Sequence, residues 1–249
     1  MERNLSFLKE LSNEELEPIV ALMKDRWTDE LTEEAKNTPK EHLNEILGEL
    51  LKYAGNTIAN IFRGDKGVSY REALEDVCKK QKVKFTKYIS TENLGYKLIE
   101  QIFTTTIDNM SKEEKQEFIN SLKESMGEED FNDLAKEAAK KGGLYALSGN
   151  ALAMILFKSA GFGAYTFAAT AVTYVFHLLG RTAPYWLVFG GTATIVKTVS
   201  GILFGPIGWT LFGIWGAINI ASPATRVTVP AIIYIESMRI MKNQKKYIE

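Results

Sequence analysis

The sequence predicts an all-α protein in two parts, an N-terminal soluble helical bundle followed by a hydrophobic helical-hairpin region. Three observations lead there. Capping-box pairs recur through the first half, most of them ahead of an apolar stripe with helical spacing. No stretch alternates apolar and polar residues as a half-buried strand would. Acidic residues, frequent up to Glu137, are absent from there to Glu236. The expected division is 1–141 for the acidic helical domain and 142–249 for a glycine-rich hydrophobic region with a basic C-terminal helix.

The elements follow in order. Ser12 and Glu15 open the first helix, where the Ser oxygen takes an orphan backbone N–H and the Glu reaches back. Leu16, Ile19, Val20 and Met23 then recur at i, i+3, i+4 and i+7. Thr38 and Glu41 repeat the box, with Pro39 expected at the first helical position, where its missing N–H costs nothing. Leu43, Ile46, Leu47, Leu50 and Leu51 supply that helix's apolar face. Ser69 with Glu72 and Ser111 with Glu114 open two more helices, and others are expected over 91–107 and 128–140.

Gly142-Gly143 ends this pattern. Four apolar arms follow, 144–160, 163–180, 185–204 and 206–222. They are separated at Gly161-Phe162-Gly163, Arg181-Thr182-Ala183-Pro184 and Gly205-Pro206. An α-helix crosses a bilayer with roughly 17–25 apolar residues, and each arm reaches that length. Lys140, Lys141, Arg181 and Arg226 flank the arms while the turns between 160 and 163 and at 205–206 are uncharged. Two hairpins with uncharged tips and all flanking cations on one side satisfy the positive-inside rule. Lys197 and several threonines oppose this, since a mid-bilayer lysine costs roughly 2.5–3.5 kcal/mol. The last segment, from Pro230, ends in Lys242, Lys245 and Lys246, which suit a helix C-terminus or an anionic surface.

Charge divides the chain in the same way. Residues 1–137 hold 29 acidic and 20 basic residues, a net of −9, and residues 138–249 hold 2 and 10, a net of +8. Five lysines fall between Lys79 and Lys87, where a solvated helix end is favoured over contact with lipid or nucleic acid. Cys78, the only cysteine, excludes an intramolecular disulfide and a multi-cysteine metal site, and lies on an apolar face with Tyr70, Leu74 and Val77. Gly64-Asp65-Lys66-Gly67 lacks the strand–loop–helix context and the Lys-Ser/Thr ending of a phosphate-binding loop and reads as a turn. His42 and His177 lack the partners at i+3 or i+4 that a metal pair would use. No catalytic, cofactor-binding or metal-ligating residue is assigned, and no cofactor is expected.

Several stretches carry a family resemblance. Leu5-Ser6-Phe7-Leu8-Lys9-Glu10-Leu11-Ser12-Asn13-Glu14-Glu15-Leu16 is similar to an opening helix of the YaaW-like bacterial proteins. So are Gly48-Glu49-Leu50, Gly55-Asn56-Thr57-Ile58-Ala59-Asn60, Arg63-Gly64 and Tyr70-Arg71. Gly205-Pro206-Ile207-Gly208 and Arg226-Val227-Thr228-Val229-Pro230-Ala231 resemble the family's glycine–proline turn and its basic run. Residues 145–200 depart from that pattern, being longer and more hydrophobic. The family is sometimes labelled ubiquinol–cytochrome c chaperone-like. The resemblance implies no catalytic residues. It makes Arg63-Gly64, Tyr70-Arg71 and Arg226 the positions to inspect.

The functional expectation is a non-enzymatic, membrane-associated helical protein of the inner membrane, with its acidic domain in the cytoplasm as a sensing or partner-binding module. Its two hairpins would insert permanently or on triggering, as in a membrane-perturbing stress or phage-defence effector. The partners expected are the lipid bilayer, an unidentified protein and further copies of the chain, without nucleic acid. The alternatives are an assembly chaperone for membrane or respiratory proteins, or a purely soluble structural bundle that is cytoplasmic because its arms are sheltered.

Overall fold

The computed structural model describes residues 2–23, 33–55, 67–126, 128–140, 142–143, 148, 151–152, 168–169, 171–173, 175–176, 179 and 223–248. These residues are helical or lie in turns, with no strand among them, so the all-α class is right. A 3-10 helix, Arg3–Glu10, comes first. It is followed by α1 Asn13–Met23, α2 Glu33–Asn37, α3 Leu43–Ala54 and α4 Tyr70–Lys80. Then come α5 Thr91–Asn109, α6 Lys112–Met126, α7 Glu128–Ala139 and α8 Pro223–Ile248.

Two compact units share these elements. Unit one comprises 1–95 and 220–235, and unit two comprises 96–219 and 236–249. In unit one, α1 packs on α2 and α3, and α3 packs on α4. The stripe of α1 is buried at Leu16, Ile19, Val20 and Met23, and α3 buries Leu43, Ile46, Leu47 and Leu50. The predicted boxes at Ser12/Glu15, Ser69/Glu72 and Ser111/Glu114 are all complete. Each serine oxygen accepts the N–H of its glutamate residue, at 3.1–3.2 Å, and each glutamate carboxylate accepts the serine's N–H, at 2.7–2.9 Å. In unit two, α6 packs on α7, and Phe103 meets Phe118 edge to face with centroids 6.3 Å apart.

The box expected at Thr38/Glu41 does not form. The Thr38 hydroxyl donates back to the Glu34 carbonyl at 3.0 Å, closing α2, and residues 39–42 are a turn. Helix α3 therefore starts at Leu43, and Pro39 lies in the turn. A threonine can satisfy a carbonyl four residues back as readily as an N–H three residues on, and here the preceding short helix takes it.

The terminal helix also differs. It does not begin at Pro230 but at Pro223, and it runs through Pro230 for 26 residues. Proline inside a helix removes one hydrogen bond and costs about 3 kcal/mol, which surrounding packing has to outweigh. Every residue from Val227 to Met241 is buried, so that packing exists.

The membrane reading is overturned. Among the described residues no helix is long and apolar enough to cross a membrane. The two that are long enough carry charges along their length: Glu92, Lys97, Glu100 and Asp108 in α5, and Arg226, Glu236, Arg239 and Lys242 in α8. The proposed hairpin arms lie outside the described residues apart from fragments of at most three consecutive positions. Insertion of two hydrophobic hairpins therefore has no support here, and neither does residence in the inner membrane.

Candidate functional site

Unit one contains a shallow cleft of about 20 Å³, part of it open to solvent, where the end of α3, one face of α4 and the first turns of α8 converge. Ala54, Ala73 and Val77 make its apolar wall; Asp76, Lys80, Thr225 and Thr228 supply its polar groups. Positions 73, 76, 77 and 80 share one face of α4 because three and four residues complete about one helical turn. Thr225 and Thr228 share a face of α8 for the same reason.

The Lys80 ammonium donates to the Thr225 hydroxyl at 3.0 Å. Asp76 is 54% exposed and accepts from Lys79 at 3.2 Å, so its charge is offset by a lysine outside the cleft. The Thr228 hydroxyl is buried with no hydrogen-bond partner, on a residue 8% exposed. Leaving such a group unsatisfied costs about 1–3 kcal/mol. Thr228 is therefore the anomaly that marks this cleft.

Unit two has a second polar feature inside α8. Arg239 donates through Nε and Nη2 to the two carboxylate oxygens of Glu236, at 2.9 and 3.2 Å. The Glu236 side chain is fully buried and that of Arg239 is 11% exposed. Beside them the Ser237 hydroxyl is buried with no partner. A fork-to-fork pair of this kind fixes the geometry of both side chains.

The positions singled out in the sequence are placed as follows. Arg63-Gly64, Gly161-Phe162-Gly163 and His177 lie outside the described residues. Arg71 donates to Glu75 at 2.7 Å and to the Ile89 carbonyl at 2.7 Å, tying α4 to the loop that follows it. Tyr70 is buried and its backbone N–H donates to Glu2 at 2.8 Å. Arg226 is exposed. At Gly67 an added Cβ would fall 2.7 Å from the Lys52 nitrogen and 2.9 Å from the Leu51 carbonyl carbon, so only glycine permits that approach. Cys78 is buried, as its apolar neighbours suggested. The cluster Lys79, Lys80, Lys82, Lys84 and Lys87 lies exposed at the end of α4 and in the following loop. His42 sits at the N-cap of α3 with Nδ1 3.2 Å from Glu45, so it does have a partner at i+3, contrary to the expectation, although no third ligand joins them among the described residues. Among the described residues no three histidine, cysteine, aspartate or glutamate side chains converge as a metal site would require.

Sequence reasoning missed Thr225, Thr228 and the Glu236–Arg239 pair. The spacing of three in each was visible. What pointed away was their place after the last apolar arm, where the segment from Pro230 was read for its terminal lysines alone.

Two tyrosines hold their protons tightly. Tyr234 is fully buried, and its pKa is pushed well above 10.0 by that burial and then by Glu15 and Glu17. Its hydroxyl donates to the Glu15 carbonyl at 2.7 Å, a bond that needs the protonated form. Tyr96 is pushed up to about 12, by burial first and then by Glu100.

No protein-family profile and no solved structure matches the chain. Among curated proteins, a UPF0174 protein of Helicobacter pylori is 30% identical over 98% of this chain and 93% of its own length. A second from that organism is 34% identical over 80% of this chain and 88% of its own. The UPF0174 protein YaaW of Escherichia coli is 30% identical over 96% and 94%. The chain belongs to the UPF0174 family, in agreement with the YaaW-like motifs.

Proposed function

We propose that this UPF0174 protein is a non-enzymatic helical bundle of the cytoplasm that acts as a structural or partner-binding scaffold. The observation that carries the reading is the hydrogen bond from Tyr234 to the carbonyl of Glu15, across 219 positions of sequence. It ties the last helix to the first as a core element of unit one, the place a structural spine occupies. The ionic side chains best held in place support the same reading. Arg71 is spent on a loop and Arg239 on Glu236. An assembly chaperone would need exposed apolar surface to hold its client, and among the described residues the one large hydrophobic side chain strongly exposed is Tyr88.

Truncation tests this. A chain ending at residue 222 should lose the cooperative thermal transition of the full chain, followed by circular dichroism, because unit one loses part of its core. A truncated chain that melts cooperatively at the full-length temperature would sink the scaffold reading. Fractionation with an alkaline carbonate wash tests the location, and the full chain is expected in the supernatant.

A further inference from the structure

We infer that the lysine-rich loop leaving α4 is a docking surface for anionic lipid headgroups, with Tyr88 at its crest. Charge is the first observation. Lys79, Lys80, Lys82, Lys84 and Lys87 are all exposed, and no acidic residue stands between Asp76 and Glu92. Asp76 accepts from Lys79 at 3.2 Å, which leaves Lys82, Lys84 and Lys87 as the cations of the loop itself. The second observation is Tyr88, 94% exposed in a turn closed by the Ile89 N–H on the Thr86 carbonyl at 3.2 Å. Tyrosine combines an apolar ring with a polar tip and concentrates in the headgroup layer of membranes. The third is how the loop is held. Val83 is buried at its base, its N–H donating to the Cys78 carbonyl at 2.9 Å. Arg71 donates to the Ile89 carbonyl at 2.7 Å, next to Tyr88. Between these two anchors Lys82 holds φ 58°, so a cation occupies a turn position that glycine would fill with less strain.

The residue types favour lipid over other polyanions. Duplex DNA is read with arginine, asparagine or glutamine on base edges, and single strands stack on successive aromatic rings. The loop offers lysines and one fully exposed ring. Protein interfaces are depleted of lysine. A lysine ammonium on its flexible stem is a point charge that follows a fluid layer of headgroups. The acidic remainder of the first half opposes approach to such a surface. Screening limits that opposition, because the Debye length is about 10 Å at 0.1 M salt. The contact involves the headgroup layer alone and asks for no membrane-crossing helix. Alkaline carbonate releases it, because lysine loses its charge above a pH of about 10.4.

The inference goes beyond the scaffold reading and does not depend on it, since truncation tests one and vesicle binding the other. The measurement is co-sedimentation of the full chain with phosphatidylcholine vesicles, with and without phosphatidylserine. Binding is expected only where phosphatidylserine is present, and it should weaken as salt is raised. One lysine near such a surface is worth roughly fivefold in affinity, so replacing Lys82, Lys84 and Lys87 together by Gln should weaken binding by at least about tenfold. Tyr88→Ala should weaken it about threefold and leave its salt dependence unchanged. A control with Lys9, Lys40 and Lys112, also exposed, replaced by Gln should bind like the wild type. Circular dichroism melts check the fold of each variant. The double variant Lys84→Gln, Lys87→Gln leaves the turn at Lys82 intact and repeats the test if the triple variant melts early. Failure to sediment with phosphatidylserine vesicles overturns the assignment. So does equal binding to neutral vesicles, binding that survives in the lysine variants, or a loss as large in the control. Tighter lysine-dependent binding to a single-stranded oligonucleotide than to vesicles also overturns it and makes the loop a nucleic-acid contact.

Discussion

Helix α4 opens on a complete capping box, buries five of its eleven residues and leaves its other face to water. Helix α8 is more than twice as long and is buried on every side from Val227 to Met241. The first kind of helix carries its instructions locally: a cap, a stripe and a polar back. The second carries almost none, because a segment apolar all round shows no preferred face and its neighbours cannot be inferred from periodicity. Buried polar groups in α8 must find partners within the protein: Tyr234 finds one on α1, Glu236 and Arg239 find each other along the helix, and Thr228 and Ser237 have none.

If α8 depends on its internal partners while α4 depends on its ends, the largest effect should come from the buried ion pair. Glu236→Gln leaves the Arg239 guanidinium buried beside a neutral amide and should cost about 3–5 kcal/mol, read from urea unfolding. Replacing both residues by methionine should recover most of that loss, because desolvating two charges was itself costly. A single substitution with no effect would mean that the pair is solvated in solution.

Tyr234→Phe should cost about 1 kcal/mol near neutral pH by removing the bond to Glu15. Its pH dependence sharpens the point. The folded pKa lies above the unfolded value near 10.0, so the folded state keeps a proton that the unfolded state releases. The stabilisation is therefore complete below pH 10 and declines as pH rises above it. The wild-type chain should lose stability from about pH 10 upward, and Tyr234→Phe should show a shallower decline. Equal slopes in urea titrations across that range would refute the role given to Tyr234. Tyr96, pushed up to about 12, adds a slope in the same direction in both chains.

What the sequence made legible follows the same contrast. The starts of α1, α4 and α6 and the stripes of α1 and α3 were readable because cap and periodicity lie within a few residues of each other. Thr38 misled, since its hydroxyl had two local acceptors or donors to choose from and the short α2 was not foreseen. The apolar second half was read as lipid-facing, because burial in protein and burial in lipid select similar side chains. The paired Glu236 and Arg239 were the available signal that α8 at least is held in protein. The cleft was not legible at all: Lys80 and Thr225 lie 145 positions apart, and nothing local to either indicates the other.

The smallest effect concerns how helices end. Both α4 and α7 close with the same pair of backbone bonds. In α4 the N–H of Val83 reaches the Cys78 carbonyl at 2.9 Å and that of Lys82 reaches Lys79 at 3.1 Å. In α7 the N–H of Gly143 reaches Ala138 at 2.9 Å and that of Gly142 reaches Ala139 at 3.3 Å. This ending requires a left-handed residue after the C-cap, which is Lys82 with φ 58° in one case and Gly142 with φ 97° in the other. A lysine there crowds its Cβ against the following carbonyl, whereas glycine does not. Lys82→Gly should stabilise unit one by about 0.5–1 kcal/mol, the relief being partly offset by the greater freedom of an unfolded glycine. Gly142→Ala should destabilise by a similar amount, measured in the same urea titrations. If Lys82→Gly is instead destabilising, then the lysine side chain contributes something its exposed position does not reveal, and the nearby cleft would be the first place to look for it.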